Sequence, residues 1–124
     1  MSKVESNDPN YSALLEHVRE TGYLVSTAAL LEWDQQTKMP ALASDYRCEQ
    51  ITHLAGLIHQ RKTDPRVGEW LDHLADSPLT EDPLSDSGAT IRILKREYEK
   101  SVKLPAALVM ELARAASIGQ TKRV

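Results

Sequence analysis

Histidine, cysteine and carboxylate side chains are the groups in this chain that could ligate a metal ion or transfer a proton. Their spacing favours neither a metal site nor a site of proton transfer. The four histidines are His17, His53, His59 and His73. His53 and His59 are six residues apart, about 240° around a helix, so they cannot grip one ion as an i, i+4 pair could. The sequence contains no H-E-x-x-H, C-x-x-C, G-x-S-x-G or glycine-rich phosphate motif. We therefore expect no catalytic and no metal-ligating residue in this chain.

Two smaller groupings have a structural explanation beside a chemical one. Glu49 and His53 are four residues apart and could offer two ligands, but a solvated pair on one helix face has the same spacing. Cys48 lies between Arg47 and Glu49, and no histidine or lysine is placed to activate it as a nucleophile, so we expect an inert thiol. As the single cysteine it cannot form an internal disulfide, which suits a reducing cytoplasm.

The most unusual stretch is WDQQTKMP, at residues 33–40. A carboxylate directly after a bulky indole, at the end of an apolar helix, is costly if it is buried without a partner. We therefore expect Asp34 to pair either with an arginine such as Arg47 or with the N–H groups that open the next helix. Two interpretations remain open, a structural clamp between the first two helices and the wall of a substrate groove. The candidate residues are Trp33, Asp34, Gln35, Met39, Pro40 and Arg47.

Apolar spacing and helix-start signals predict about five helices, arranged as a bundle or array. The segments are residues 10–39, residues 44–62, a short helix opening at Asp64-Pro65, a helix capped by Ser87 and a helix starting at Pro105. The loop between the third and fourth helices covers residues 76–86. No run of β-branched or aromatic residues alternates with period two, so the predicted fold class is all-α.

The first predicted helix is long for a chain of this size. Thirty helical residues span about 45 Å, whereas a compact domain of this length has a radius of gyration near 14 Å. From Tyr23 to Trp33, eight of eleven residues are apolar and lie on every side of the helix, a pattern typical of a helix buried on every side. We expect the helix to bend or break near Gly22, or its surface to be covered by another chain or by further sequence.

Composition excludes several classes of protein. The chain has 124 residues, 41% of them hydrophobic, and a net charge of −3, which fits one helical domain over residues 10–124 after a flexible N-terminus at residues 1–9. No apolar run approaches the roughly 18 residues of a membrane span, and the N-terminus lacks the apolar core of a secretory signal. Because the chain has a net negative charge, its composition does not indicate a basic surface for binding nucleic acid. We expect a cytoplasmic protein that binds neither membrane nor nucleic acid.

Several blocks of sequence, taken together, resemble one known family. In order they are Leu30-Leu31-Glu32-Trp33-Asp34-Gln35 with Met39-Pro40, then Arg47, Gln50, Leu54, Leu57, His59 and Asp64, then Arg96-Glu97-Tyr98-Glu99, Leu104-Pro105, Leu108-Val109 and Glu111-Leu112-Ala113. Their order and spacing are similar to the N-terminal region of the M32 (thermostable, Taq-type) zinc carboxypeptidases. The resemblance runs from about Tyr11 to Ser117.

The resemblance implies an all-helical protein whose full-length relatives remove C-terminal amino acids from peptides. It also implies that those relatives are longer, are typically homodimeric and hold zinc through the two histidines of H-E-x-x-H and a downstream glutamate. That motif is absent here, so no catalytic or metal residue carries over. We expect this chain to be inactive alone and to have no cofactor of its own.

Two hypotheses of function follow. In the first, the chain is the N-terminal helical region of such a carboxypeptidase and its partner is the missing catalytic region. In the second, it is a stand-alone helical module for self-association or protein interaction. Because large apolar patches seldom stay exposed on a monomer, the second hypothesis predicts a homo-oligomer.

Overall fold

The structure, a computed structural model, describes residues 8–36 and 41–122. Within these two ranges the chain forms five α-helices and one 3-10 helix, and it forms no strand. The predicted all-α fold class is confirmed. In chain order the elements are α1 (Pro9–Gln36), α2 (Ala41–Lys62), α3 (Pro65–Ala75), the 3-10 helix (Pro78–Thr80), α4 (Asp86–Val102) and α5 (Ala106–Lys122).

Helix α1 begins as the Asp8-Pro9 pair predicts. The Asp8 carboxylate accepts hydrogen bonds from the backbone N–H groups of Asn10 (2.9 Å) and Tyr11 (3.3 Å). These groups belong to the first turn, where no carbonyl of the helix can reach them. Pro9 has no N–H of its own to satisfy, so it fits the first helical position without cost.

The expected break in α1 is absent, because the helix continues through Gly22 to Gln36. Nothing lies within 4 Å of the point where a Cβ on Gly22 would be, so this glycine serves no close packing. The predicted helix end at Met39-Pro40 lies outside the described residues, as do residues 1–7 of the N-terminus expected to be flexible. The expected bend near Gly22 and the expected covering of the surface by other protein both stay predictions.

The N-cap of α4 is Ser85, and the prediction that Ser87 caps this helix is wrong. The Ser85 hydroxyl accepts a hydrogen bond from the Gly88 N–H at 3.1 Å. Ser87 lies inside the helix and is buried, and its hydroxyl donates to the Leu79 carbonyl at 3.3 Å. The 3-10 helix in the preceding loop supplies that carbonyl, and a sequence pattern does not reveal such an acceptor.

The chain divides into two compact units, each assembled from two segments. The first unit contains the described part of residues 1–20 together with Lys62–Lys103, and the second unit contains Thr21–Arg61 together with the described part of residues 104–124. Helix α1 therefore contributes its first half to the first unit and its second half to the second unit. The expectation of a single domain over residues 10–124 stays a prediction.

The first unit has an apolar core. The buried side chains that form it come from α1, α3, the 3-10 helix and α4, and they are Tyr11, Leu14, Val67, Leu71, Leu74, Leu79 and Ile91. Full burial of such a side chain stabilises a fold by roughly 1.5–3 kcal/mol. Helices α3 and α4 approach closely at Gly68, where a Cβ would lie 2.8 Å from the Tyr98 hydroxyl. This unit resembles the interior of an ordinary globular protein.

The start of α3 combines a helix cap with an ion pair. Asp64 accepts a hydrogen bond from the Arg66 N–H at 2.9 Å, and its carboxylate contacts the Arg66 guanidinium at 2.8 Å. These two hydrogen bonds, the side-chain one first, lower the pKa of Asp64 to about 2. The Arg66 guanidinium also lies 5.7 Å from the centre of the Trp70 ring, whose edge meets buried His17 at 5.6 Å between ring centres.

The second unit has a largely polar interior. Among its described residues, the buried apolar side chains are Cys48 and Ile51, whereas the buried polar ones are Thr21, Gln35, Ser44, Thr52, His59 and Ser117. The polar groups are hydrogen-bonded: for example, Arg61 Nε donates to Thr21 Oγ1 at 3.0 Å. Helices α2 and α5 pack closely where a Cβ on Gly56 would lie 2.9 Å from the Met110 sulfur.

Large apolar side chains of the second unit face solvent instead. The expectation that residues 23–33 are buried on every side is wrong for the chain by itself, because Tyr23, Val25, Leu30 and Trp33 are all exposed. Gln35, which lies on the inner face of this part of α1, is buried instead.

We expect Asp64→Ala to lower the free energy of unfolding by about 1 kcal/mol at neutral pH, because it removes the cap of α3 and the partner of Arg66. Since the pKa of Asp64 is depressed to about 2 in the folded state, its stabilisation is fully present above its unfolded value of about 4 and is lost as the pH falls from about 4 to 2. Urea unfolding followed by circular dichroism across this range measures both effects.

The matched control is Glu69→Ala, which removes an exposed carboxylate from the same helix and should change stability by less than about 0.5 kcal/mol. A difference between Asp64→Ala and the unsubstituted chain that stayed constant down to about pH 2 would contradict the assigned ion pair.

Candidate functional site

Asp34 and Arg47 form the ion pair predicted from the sequence. Arg47 Nη2 lies 2.9 Å from Asp34 Oδ2, and the Arg47 side chain is 22% exposed against 46% for Asp34. Asp34 lies in the last described turn of α1, where the negative end of the helix dipole disfavours a carboxylate. The guanidinium on α2 offsets that penalty, so this pair holds the two helices together.

The two neighbours of Asp34 face different surroundings. Gln35 is 3% exposed, and its Oε1 accepts a hydrogen bond from the Ser117 hydroxyl of α5 at 2.8 Å. Trp33 is 66% exposed. Of these three consecutive residues, Trp33 therefore presents its indole to solvent, Asp34 joins α1 to α2, and Gln35 joins α1 to α5. The other two candidates, Met39 and Pro40, lie outside the described residues.

Two buried polar atoms next to this clamp have no hydrogen-bond partner among the described residues. They are the donor Arg47 Nε and the acceptor Gln50 Oε1, three residues apart on α2 and so on the same face of that helix. Each buried group left unsatisfied costs about 1–3 kcal/mol. This part of the second unit therefore retains one buried donor and one buried acceptor without a hydrogen bond among the described residues.

Glu49 and Cys48 have structural roles. The Arg114 guanidinium on α5 lies 3.1 Å from Glu49 Oε2, and the backbone carbonyl of Arg114 accepts a hydrogen bond from the buried Cys48 thiol at 3.9 Å. Sequence reasoning missed this cluster, because 65 residues separate the two charged partners and no local pattern connects them. His53, four residues from Glu49, is exposed.

The described residues do not fit a zinc site. Within the described ranges, no three His, Cys, Asp or Glu side chains lie close enough together to hold a metal ion, and catalytic zinc needs three protein ligands. In the first unit, a groove of about 330 Å³ between α3 and α4 is lined in part by Glu69, Lys95 and Glu99. These charged side chains are exposed to water, so the groove does not isolate a reacting group from solvent.

A double-mutant cycle tests the clamp. We expect Asp34→Ala, Arg47→Ala and the double variant to give a coupling energy of about 1 kcal/mol, because the guanidinium is largely buried and its carboxylate partner is fixed at a helix end. Urea unfolding gives the four stabilities. The matched control is the exposed Glu16–Arg19 pair of α1, which should couple by about 0.3 kcal/mol. Equal coupling in the two cycles would contradict the clamp.

The comparisons with known proteins point to one family. The model of the "Carboxypeptidase Taq (M32) metallopeptidase" family matches residues 13–122. Thermostable carboxypeptidase 1 of Thermus thermophilus is 48% identical over 107 residues, which cover 86% of this chain and 21% of the relative. Carboxypeptidase 1 of Bacillus subtilis is 28% identical over 104 residues, covering 84% of this chain and 20% of the relative.

The chain spans about a fifth of the length of these curated relatives. None of the helices in the described ranges has the length and apolar character that a membrane crossing requires. Because the family model covers nearly the whole sequence, the chain belongs to the carboxypeptidase Taq (M32) metallopeptidase family.

Proposed function

We propose that this chain is a helical, non-catalytic part of a zinc-dependent carboxypeptidase that removes C-terminal amino acids from peptides. The observation that carries the proposal is the family match over residues 13–122 in a sequence that has no H-E-x-x-H. Both relatives are named as carboxypeptidases, which supports the reaction class. The chain corresponds to the N-terminal part of such an enzyme.

In this proposal, residues 33–35 and Arg47 act as a structural clamp. The contacts of Asp34 with Arg47 and of Gln35 with Ser117 tie α1 to α2 and to α5. Both contacts are satisfied inside the chain, which favours the clamp over a substrate-groove wall. Trp33 is the member of the group left free of a covering surface, so it is available to a neighbouring protein segment.

A second candidate function is a stand-alone module for self-association or protein interaction. The exposed apolar residues of the second unit favour it, because such surface is normally covered in the working form of a protein. A homo-oligomer would cover part of it. A cytoplasmic location is proposed on the ground that the chain has a single cysteine, which is free.

The purified chain should bind zinc below stoichiometry and should release no C-terminal amino acid from a test peptide, because its described residues offer no ligand set for the ion. Metal analysis after equilibration with zinc and desalting, together with chromatography of the peptide products, measures both. Thermostable carboxypeptidase 1 of Thermus thermophilus under identical conditions is the control. One zinc per chain together with C-terminal trimming would contradict the proposal.

A further inference from the structure

Exposed apolar residues are concentrated in the second unit. Among the described residues, large hydrophobic side chains are exposed at ten positions of the second unit and at three of the first. Those of the second unit are Tyr23, Val25, Leu30, Trp33, Tyr46, Leu57, Leu104, Leu108, Leu112 and Ile118, and those of the first are Leu84, Ile93 and Val102. The three aromatic residues alone, at about two-thirds exposure, leave on the order of 300–500 Å² uncovered.

On α1 the exposed apolar residues form a stripe opposite the buried face. Tyr23, Leu30 and Trp33 follow each other at i, i+7 and i+10, a spacing that keeps them on one side of a helix. Thr21 and Gln35, which are buried, lie on the other side. The fully buried residues of this part of α1 are therefore polar, whereas the stripe that faces solvent is apolar.

Helices α2 and α5 also carry exposed apolar residues on one face. On α2, Tyr46 and Leu57 are eleven residues apart and so share a face, opposite buried Thr52. On α5, Leu108 and Leu112 are four residues apart and lie opposite buried Ser117. Since each stripe lies opposite the shared interior, the three stripes face away from the unit in different directions.

This divergence decides between the possible occupants. A two-fold dimer uses one self-complementary patch on each copy, so a second copy would cover one direction and leave the other stripes in water. A protein that surrounds the unit covers them all. The relatives provide a candidate, because four-fifths of their length lies beyond the segment that this chain matches.

We propose that the outward faces of α1, α2 and α5 in the second unit are a docking surface for the remaining four-fifths of an M32 carboxypeptidase, whether that part belongs to the same polypeptide or to a separate one. The inference rests on the proposed function. The unsatisfied Arg47 Nε and Gln50 Oε1 lie in this same unit, and the first unit, which has its own core, takes little part in the docking.

The test is co-expression of the tagged 124-residue chain with the part of Thermus thermophilus thermostable carboxypeptidase 1 that lies outside its matched segment. We expect the two to co-purify in a one-to-one complex. Leu30→Glu and Trp33→Glu should each weaken the complex by about tenfold or more. The matched control is Ile93→Glu, an exposed apolar position of the first unit, which should leave binding unchanged.

Each outcome bears on one claim. All three substitutions are at exposed positions, and circular dichroism verifies that the variants remain helical. A complex that forms equally well with the Leu30 and Trp33 variants would contradict the assignment of these residues to the docking surface. Failure to form a complex overturns the proposal, and self-association lost in the same variants identifies a second copy as the occupant. A complex that forms on these residues but releases no C-terminal amino acid leaves the docking surface standing and contradicts the proposed function.

Discussion

Burial of apolar side chains is the constraint on which the rest of this structure depends, and the two units meet it differently. The first unit removes its apolar residues from water internally, with Leu14 and Leu74 at the centre of its core. Among the described residues of the second unit, most of the buried side chains are polar, and ten large apolar side chains are exposed. Hydrogen bonds can satisfy a polar interior, but they add little net stability compared with apolar burial. Among the described residues, the second unit therefore has less apolar burial to stabilise it than the first.

The two halves of helix α1 differ in the same way as the two units to which they belong. Its first half is amphipathic and packs Tyr11 and Leu14 into the first unit. Its second half is apolar on nearly every side, and the side facing α2 and α5 is occupied by polar contacts such as Gln35 with Ser117. Asp34 is stable at the helix end because Arg47 neutralises it. A helix with this pattern fits the interior of a larger protein, and the curated relatives are about five times as long as the segment they share with this chain.

Features with local causes could be predicted from the sequence. The Asp64-Pro65 start of α3 depends on residues two positions apart, and the need of Asp34 for a cation follows from its place beside Trp33 in an apolar segment. Features that depend on distant contacts could not. Ser85 rather than Ser87 caps α4 because a carbonyl of the 3-10 helix takes up the Ser87 hydroxyl.

The spacing of apolar residues also led to a wrong prediction of burial for the second half of α1. The pattern is that of a buried helix, but Tyr23, Val25, Leu30 and Trp33 are exposed in the chain by itself. The family resemblance was visible because WDQ and MP lie in one short block. The clamp between Gln35 and Ser117 joins residues 82 apart, and no pattern in the sequence pairs them.

Amide hydrogen exchange of the isolated chain, resolved by peptide, tests the unequal cores most directly. Exchange reports the free energy of local opening for each segment. We predict slow exchange in α3 and α4, whose amides belong to the apolar core, and markedly faster exchange in α2 and α5, whose unit lacks its surroundings. Uniformly slow exchange through α2, α3, α4 and α5 would show that the second unit is stable by itself and would contradict this account.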